Sequence, residues 1–297
     1  MSFTSNKGVP DIASGTPGVE RPEPLKSVPV KHYGQAILAV VILVFTASFI
    51  YSVATNPKLD FGVFFQYLTA EVVLRGIVVT FALTLISMTA GTLLGVLLAI
   101  ARLSENRVLR GLSSTYIWFF RGVPLLVQIL IWGNFALLFS FLTIGVPFTD
   151  IAFLQVPTNA VLTTFVAACI ALSLHEAAYM AEVVRGGILG VDSGQAEAAV
   201  ALGMTGGHAM RRIILPQAMR IILPPTGNQL ITLFKSSSLV SIIAGQDLMT
   251  AVQTIGLTNY RVVELLFVGT FWYLVIVSVL TVVQRVIERR ASRGYAR

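Results

Sequence analysis

Charge and cysteine are both scarce in this sequence, and each shortage excludes a class of protein. Asp, Glu, Lys and Arg make up 12% of the 297 residues, whereas a soluble domain carries about 25%. The mean hydropathy is correspondingly high, at +0.81. The single cysteine, Cys169, excludes a disulfide within the chain and lies in an apolar segment, which predicts a buried, inert thiol. We therefore predict an integral membrane protein.

Histidine and catalytic motifs are scarce as well. The three histidines, His32, His175 and His208, lie in separate regions, so the sequence predicts no metal site. It contains no G-x4-GK[ST] phosphate-binding loop, and no nucleophile stands in a recognisable set with a base. We predict no catalytic residue and no cofactor in this chain, which argues against a membrane enzyme.

Long apolar runs dominate the rest of the sequence, and they have the length that crosses a bilayer, about 20 residues. They predict an all-α, polytopic transmembrane bundle with six spans: Gly34–Val53, Glu71–Ala101, Thr115–Phe141, Asn159–Gly187, Pro225–Ala244 and Leu265–Ile287. Residues 1–33, rich in Pro, Ser, Gly and charge, predict a disordered tail. The segment Ala209–Leu223 is interrupted by Arg220, and we expect it to lie along the membrane interface.

Basic residues are distributed unequally between the two sides of these spans. One side carries most of those in the loops and tails: Lys7, Arg21, Lys26, Lys31, Arg102, Arg107, Arg110, Arg185, Arg211, Arg212, Arg220, Arg285, Arg289, Arg290, Arg293 and Arg297. The other side carries only Lys58 and Arg261, apart from Arg75 near the end of a span. Because basic loops stay in the cytoplasm, we predict that both termini are cytoplasmic. The same bias explains the net charge of +7 without a nucleic-acid partner.

Glu176 and Lys235 are ionisable residues well inside predicted spans, where a charge is costly unless it faces protein or water. Glu176, in the sequence HEAAYMAEVVRGG, lies near the bilayer centre, and Lys235 falls at a similar depth at a rise of about 1.5 Å per residue. The two predict either an ion pair that locks helices together or a polar cavity that meets a charged solute. The alternative is a proton relay between them, which would make the chain an ion-coupled secondary transporter.

The helix that carries Glu176 has a second polar stripe. His175, Tyr179 and Glu182 or Val183 fall along it at helical spacing, and Glu176 lies beside it. For His175 alone, a hydrogen bond in the packing is a simpler role than a ligand. Glu182 and Arg185 are three residues apart, a spacing that predicts a structural ion pair.

Two further polar clusters interrupt apolar spans. In the sequence RGVPLLVQ, which begins with Arg121, Pro124 lacks a backbone donor and predicts a kink. Gln128, one turn later, is expected to face a polar cavity or to form an interhelical hydrogen bond. Ser236, Ser237 and Ser238 follow Lys235 and either face protein or water, or bond back to their own helix.

The stretch Glu197–Pro216 is too polar to join either of the apolar segments beside it. Helix-forming residues predict a helix over Gln195–Leu202, which Gly203 ends. A second break is expected at Gly206-Gly207, followed by a short basic helix over His208–Leu215 that the next proline ends. This order predicts either an ordinary interhelical loop or an element that docks outside the membrane.

The spacing of this stretch resembles the Glu-Ala-Ala signature of bacterial ABC importer permeases. Glu197-Ala198-Ala199, Gly203 and Ile213-x-Leu215-Pro216 match the pattern EAA-x3-G-x9-I-x-LP over its whole length. The stretches RGVPLLVQ, AAYMAEVVRGGI and KSSSLVSI are similar to the polar amino-acid uptake branch of that family. The resemblance covers about Leu74 to Arg290.

The resemblance implies a five-helix permease domain over residues 71–290, with the coupling loop at 195–216. Residues 34–53 would then be an additional N-terminal transmembrane helix, and residues 291–297 a basic cytoplasmic tail. The implied location is the bacterial inner membrane. The implied partners are a second permease subunit, alike or related, an extracytoplasmic solute-binding protein and cytoplasmic ATPase subunits, which bind the ATP and Mg. This chain would not be an enzyme.

The resemblance also implies roles for individual residues. The expected ATPase-coupling residues are Glu197, Ala198, Ala199, Gly203, Arg211, Arg212 and Pro216. The expected pathway residues for a polar amino acid are Gln128, His175, Glu176, Tyr179, Lys235, Ser236, Ser237 and Ser238. Structural ion pairs are expected at Arg121, Glu182 and Arg185. Glu197 is expected either to pair with a basic group on the ATPase or to cap its own helix.

Overall fold

A computed structural model describes residues 33–146 and 152–292 of the chain. The helices are, in chain order, α1 (Tyr33–Ala54), α2 (Phe61–Leu68), α3 (Glu71–Leu103), α4 (Arg107–Gly122), α5 (Leu125–Gly133), α6 (Phe135–Leu138), α7 (Thr158–Val161), α8 (Thr164–Leu189), α9 (Ser193–Ala201), α10 (Gly206–Ala209), α11 (Leu215–Ser236), α12 (Leu248–Thr258) and α13 (Val262–Ser292). Two strands, a π-helix and a 3-10 helix complete the fold. The predicted tails lie outside the described residues, except that Tyr33 begins α1 and residues 291–292 end α13.

The chain divides into two units, residues 1–56 and 57–297. Helix α1 belongs to the first unit and matches the predicted span Gly34–Val53 to within one residue at each end. Its described side chains are exposed, apart from the half-buried Val53. A long helix that is apolar on every side is suited to a lipid environment.

In the second unit, α3 and α8 form the central helix pair. They approach closely because glycines of α3 face α8: a Cβ on Gly91 would lie 2.8 Å from Cβ of Glu176, and one on Gly95 would lie 2.7 Å from Cβ of Met180. Small residues permit this kind of approach in membranes, where association depends on packing. Helices α4, α5 and α11 pack against α8, and α12 packs against α3 and α13.

Apolar side chains fill the space around this pair in separate clusters. One cluster joins α3, α5, α8, α11 and the 3-10 helix through Leu83, Ile129, Leu172, Leu233 and Val240. A second joins α3, α12 and α13 through Val73, Leu248, Val252, Leu265 and Val268. The prediction of a helical transmembrane bundle is confirmed by this arrangement.

The third predicted span, Thr115–Phe141, is wrong as a single helix. Helices α4 and α5 meet at an angle of 97° across the break before Leu125. The predicted kink at Pro124 is therefore confirmed and is sharper than expected, since Pro124 caps α5 instead of lying inside one bent helix.

The end of the same predicted span belongs to a hairpin that the all-α prediction missed. Strand β1 (Phe141–Gly145) pairs antiparallel with β2 (Ala152–Pro157), so that Leu142 lies opposite Val156. Its apolar residues cannot be distinguished from the end of a helix by composition alone. The fourth predicted span, Asn159–Gly187, begins too early for a related reason, because α7 precedes α8 there.

The boundaries around the fifth span, Pro225–Ala244, also differ from prediction. Helix α11 begins at Leu215, runs through two internal prolines and ends at Ser236, where a 3-10 helix over Ser237–Ile243 follows. The segment Ala209–Leu223 is therefore not a separate interfacial piece. By length and composition, α1, α3, α8 and α13 can each cross a membrane, which gives four crossings among the described residues, or five if the bent α4–α5 pair is one broken span.

Candidate coupling loop and transport site

Helix α9 carries the Glu-Ala-Ala residues and has a defined start and end. Asp192 caps its N-terminus, since the carboxylate accepts a hydrogen bond from Gly194 N at 2.7 Å. Glu197 is therefore not the cap, and its side chain is exposed. Ala198 is exposed as well, whereas Ala199 is buried, which leaves the glutamate on the outer face of α9.

Gly203 ends α9, as the sequence predicts, through a left-handed turn with φ of +76°. Its N–H donates to Val200 O at 2.9 Å, and Met204 N donates to Ala199 O at 3.0 Å. This pair of bonds is a Schellman motif. A Cβ at Gly203 would meet no atom within 4 Å, so the requirement for glycine comes from the backbone conformation and not from lack of space.

The second half of the loop differs from prediction. Gly206-Gly207 does not break a helix but begins α10, which continues through a π-helix over Met210–Ile214 into α11. The predicted short helix His208–Leu215 is therefore wrong in both limits. Pro216 does not end a helix. It lies in the first turn of α11, where the backbone N–H that proline lacks is not required for the helix.

The outer surface of this loop mixes apolar and basic side chains. Val200 is 68% exposed and Leu202 is 79% exposed. Arg211 and Arg212 are exposed and line a concavity together with Thr205, Gly207 and His208. Neither arginine forms an ion pair with any residue that the structure describes.

Helix α8 presents two polar stripes to different neighbours. Glu176 is 3% exposed and packs against Gly91 of α3. His175 and Tyr179 lie on the other stripe, half-buried, with ring centroids 4.9 Å apart. The predicted stripe of His175 and Tyr179 is thus present, and Glu176 lies outside it on the face toward α3.

Gln128 joins the broken α4–α5 span to α8. Its amide nitrogen donates to Phe120 O at 3.0 Å and to Val123 O at 2.8 Å, and it lies 3.2 Å from Nδ1 of His175. The two carbonyls lie at the end of α4, where the helix has no further N–H to offer. Gln128 therefore stabilises the break that Pro124 creates.

Arg121 occupies the same break but does not form the ion pair that the sequence predicts. Its guanidinium lies 5.2 Å from the centroid of the Tyr179 ring, a cation–π distance. No carboxylate pairs with it in the described part of the chain. Arg121 is exposed, so its N–H groups are accessible beside the stripe of His175 and Tyr179.

Glu182 forms the predicted pair with Arg185, at 2.7 Å, and also one with Arg102 of α3, at 2.9 Å. The second pair was not anticipated, because residues 80 positions apart carry no spacing signal. The three side chains are half-buried and link the C-terminal end of α3 to α8.

Glu176 and Lys235 are not brought together. Lys235 is exposed, Glu176 is buried, and no ion pair joins them among the residues that the structure describes. Oε1 of Glu176 is buried without a hydrogen-bond partner there. Ser237 and Ser238 donate back to Phe234 O and Lys235 O, at 2.7 Å and 2.8 Å, which is the local bonding that the sequence left open.

Residues 91–293 match the family described as binding-protein-dependent transport system inner membrane component. The arginine transport system permease protein ArgU of Corynebacterium glutamicum is 40% identical over 278 residues, 93% of this chain and 86% of that protein. The L-cystine transport system permease protein TcyB of Bacillus subtilis is 38% identical over 223 residues, 75% of this chain and 87% of that protein. The crystal structure of an amino acid ABC transporter with histidines aligns with a TM-score of 0.68 and 33% identity, over 78% of this chain and 99% of that one. The chain belongs to the family of inner membrane components of binding-protein-dependent transport systems.

Proposed function

We propose that this chain is a permease subunit of an ATP-driven importer for a polar amino acid. It lies in the bacterial inner membrane with both termini in the cytoplasm. It forms the pathway together with a second permease subunit and receives solute from an extracytoplasmic binding protein. The observation that carries the proposal is the loop from α9 to α11, whose motif residues stand on an exposed, glycine-ended helix between spans.

In this proposal, ATP and Mg bind to a separate cytoplasmic ATPase. Movement of that ATPase is passed to the loop between α9 and α11. A short rigid helix transmits a push better than a flexible loop. The Schellman turn fixes the end of α9, and Gln217 of α11 donates to Gln195 of α9 at 3.2 Å. The π-helix also packs on α9. Movement of α9 is thereby passed to α11, which packs directly on α8.

For the solute, we infer a preference for amino acids that carry a positive charge. Glu176 is a carboxyl in a transmembrane helix without a cationic partner among the described residues. In a low-dielectric interior an ionised carboxylate attracts a cation far more strongly than in water. Arg121, accessible beside Tyr179, supplies donors for a carboxylate. The relatives are named for different solutes, arginine and cystine. Their names therefore do not decide the solute of this chain, and the inferred preference for positive charge depends on Glu176.

The ion-coupled alternative has no observation in its favour. A proton relay between Glu176 and Lys235 requires the two groups to communicate through hydrogen bonds or water. The exposed lysine and the buried glutamate have no such connection in the part of the chain that the structure describes. It would also leave the coupling-loop motif without a role.

The proposal predicts that the chain retains an ABC ATPase on purification and that this depends on the turn at Gly203. Gly203→Val should lose most of the bound ATPase, because a β-branched residue is strained at positive φ. Gly203→Asn should retain it, since asparagine tolerates the left-handed conformation. The ratio of ATPase to permease in affinity-purified membranes measures this. Absence of any ATPase from the wild-type preparation would overturn the proposal.

A further inference from the structure

We propose that the hairpin of β1 and β2, between α6 and α7, is an interfacial anchor that lays one apolar face on the outer leaflet of the bilayer. The occupant of that face is phospholipid, held by apolar contact and not by charge. The assignment to the outer leaflet rests on the proposed orientation of the chain, whereas the contact with lipid does not.

The pairing of the two strands puts an exposed apolar pair and an exposed polar pair on opposite faces of the hairpin. Thr143 lies opposite Gln155, and Ile144 lies opposite Leu154. Successive side chains of a strand point to opposite faces, so the two pairs look in opposite directions. Ile144 is 64% exposed and Leu154 is 51% exposed. The described residues therefore leave this apolar pair largely uncovered.

The apolar face begins against the protein and continues past it. Leu142 and Val156, the next pair on the same face toward the base of the hairpin, are half-buried. The base is fixed to the ends of the neighbouring helices, because Thr158 is fully buried and its N–H donates to Ser140 O at 3.0 Å. The hairpin is therefore held beside the spans, with the outer part of its apolar face free.

Backbone chemistry sets the depth of the hairpin. A two-stranded sheet has two open edges, whose N–H and C=O groups cannot be satisfied in hydrocarbon. The headgroup region supplies water and polar groups to such edges. Aromatic rings lead to the same level: Trp132 stacks on Phe135 with centroids 5.3 Å apart, and Phe135 lies 5.0 Å from Phe139, just before β1. Tryptophan is enriched where the bilayer meets water, so the hairpin lies in the interface.

Lack of charge favours lipid over a soluble protein as the occupant. Asp150 is the one charged residue between Arg121 and His175 in the sequence, and the described residues of the two strands carry none. A soluble partner is oriented by a polar rim and by complementary charges, which this face does not offer. Exposed apolar side chains beside membrane spans, on an element with a polar opposite face, are suited to the boundary between headgroups and acyl chains.

The test is the accessibility of a nitroxide label on the full-length chain in phosphatidylcholine nanodiscs. The label is attached to one introduced cysteine at a time, in a background where Cys169→Ala removes the native buried thiol. Oxygen concentrates in lipid, whereas nickel-EDDA stays in water. At Ile144→Cys and at Leu154→Cys, oxygen should relax the label several-fold more than nickel-EDDA does. Addition of an anionic phospholipid should leave this ratio unchanged, because the contact is apolar.

Thr143→Cys and Gln155→Cys are the matched controls, because both residues are exposed on the same two strands and face the other way. There nickel-EDDA should be the stronger relaxant. Equal ratios on the two faces, in favour of either reagent, would overturn the inference. Protection of the Leu154 label from both reagents would show that a second subunit covers the face, and protection only after the binding protein is added would assign the face to that protein. Either result overturns the inference and leaves the proposed function standing.

Discussion

The Cβ and Cγ atoms of Glu176 pack against α3 at Gly91, where a Cβ would lie 2.8 Å and 3.0 Å from them. Its neighbour His175 points to the other stripe, toward Gln128 at 3.2 Å. Adjacent residues of one helix therefore serve different neighbours. His175 belongs to the polar contacts at the helix break, whereas Glu176 places an ionisable carboxyl group in the packed interior. This division is why we assign solute charge preference to Glu176.

Replacing Glu176 tests that assignment directly. Glu176→Gln keeps the shape against Gly91 but removes the group that can ionise opposite a cationic solute, so uptake of arginine should fall about tenfold, ~1.4 kcal/mol. Uptake of a neutral amino acid should change less than about twofold. Both are measured as initial rates with radiolabelled solute. Glu71→Gln, an exposed glutamate at the start of α3, is the control and should affect neither. An equal loss for both solutes would indicate that Glu176 serves only to pack helices.

Single residues were predictable from sequence where the signal is local. Glu182 and Arg185 pair as their spacing indicates, and Gly203 ends α9 as a glycine after a helical run should. Asp192 as the cap was missed, although an aspartate directly before a helical run is a start signal. The pairs that cross between helices, Arg102 with Glu182 and Arg121 with Tyr179, were not predictable, because they depend on how the helices pack.

At the scale of elements, the contact between α3 and α8 organises the second unit. Gly91 and Gly95 are one helical turn apart and face residues of α8 that are also one turn apart. This spacing produces a continuous close contact that places Glu176 and Met180 in the interior. Glu182 then links α8 to the C-terminal end of α3 through Arg102.

This packing predicts that a glycine-to-alanine substitution has different effects on stability at Gly95 and at Gly111. Gly95→Ala should lower the free energy of unfolding by about 1–3 kcal/mol, since its Cβ would lie 2.7 Å from Cβ of Met180 and 3.0 Å from Ala177 O. Gly111→Ala on α4 meets no atom within 4 Å and should be neutral, or stabilising by up to ~1 kcal/mol. Thermal unfolding of the detergent-purified chain measures both. Equal midpoints for the two variants would contradict the close approach of α3 and α8.

Elements were harder to predict where proline was involved. Pro124 does break a span, but Pro216 lies in the first turn of a helix and the pair Pro224-Pro225 lies inside it. The same residue type thus ends one helix and begins another. Which role applies depends on whether the helix needs the backbone N–H that proline lacks. The sequence near Pro216 does not show this, because the π-helix before it continues into α11 without a polar loop. The apolar strands β1 and β2 were missed for the separate reason that their composition is that of a span.

At the scale of the whole molecule, charge and the coupling motif point to the same arrangement. The distribution of basic residues predicts that the α9–α11 loop is cytoplasmic, and the motif supports the proposal that force enters at this loop. The family was predictable from the motif, whereas the fold class and the membrane location were predictable from the long apolar runs. The number of crossings was not predictable. Helix α11 carries Arg220 and Lys235, so its composition differs from that of the long helices that can cross a membrane.

The central claim is that ATP hydrolysis by a partner, and not an ion gradient, drives transport through this chain. The most direct measurement is arginine uptake into proteoliposomes that contain the permease, its second subunit and its ATPase, with binding protein on the side opposite the ATPase. Uptake should require ATP on the ATPase side and persist when a protonophore abolishes the pH gradient. Uptake driven by a pH gradient in the absence of ATP, and abolished by the protonophore, would contradict the account.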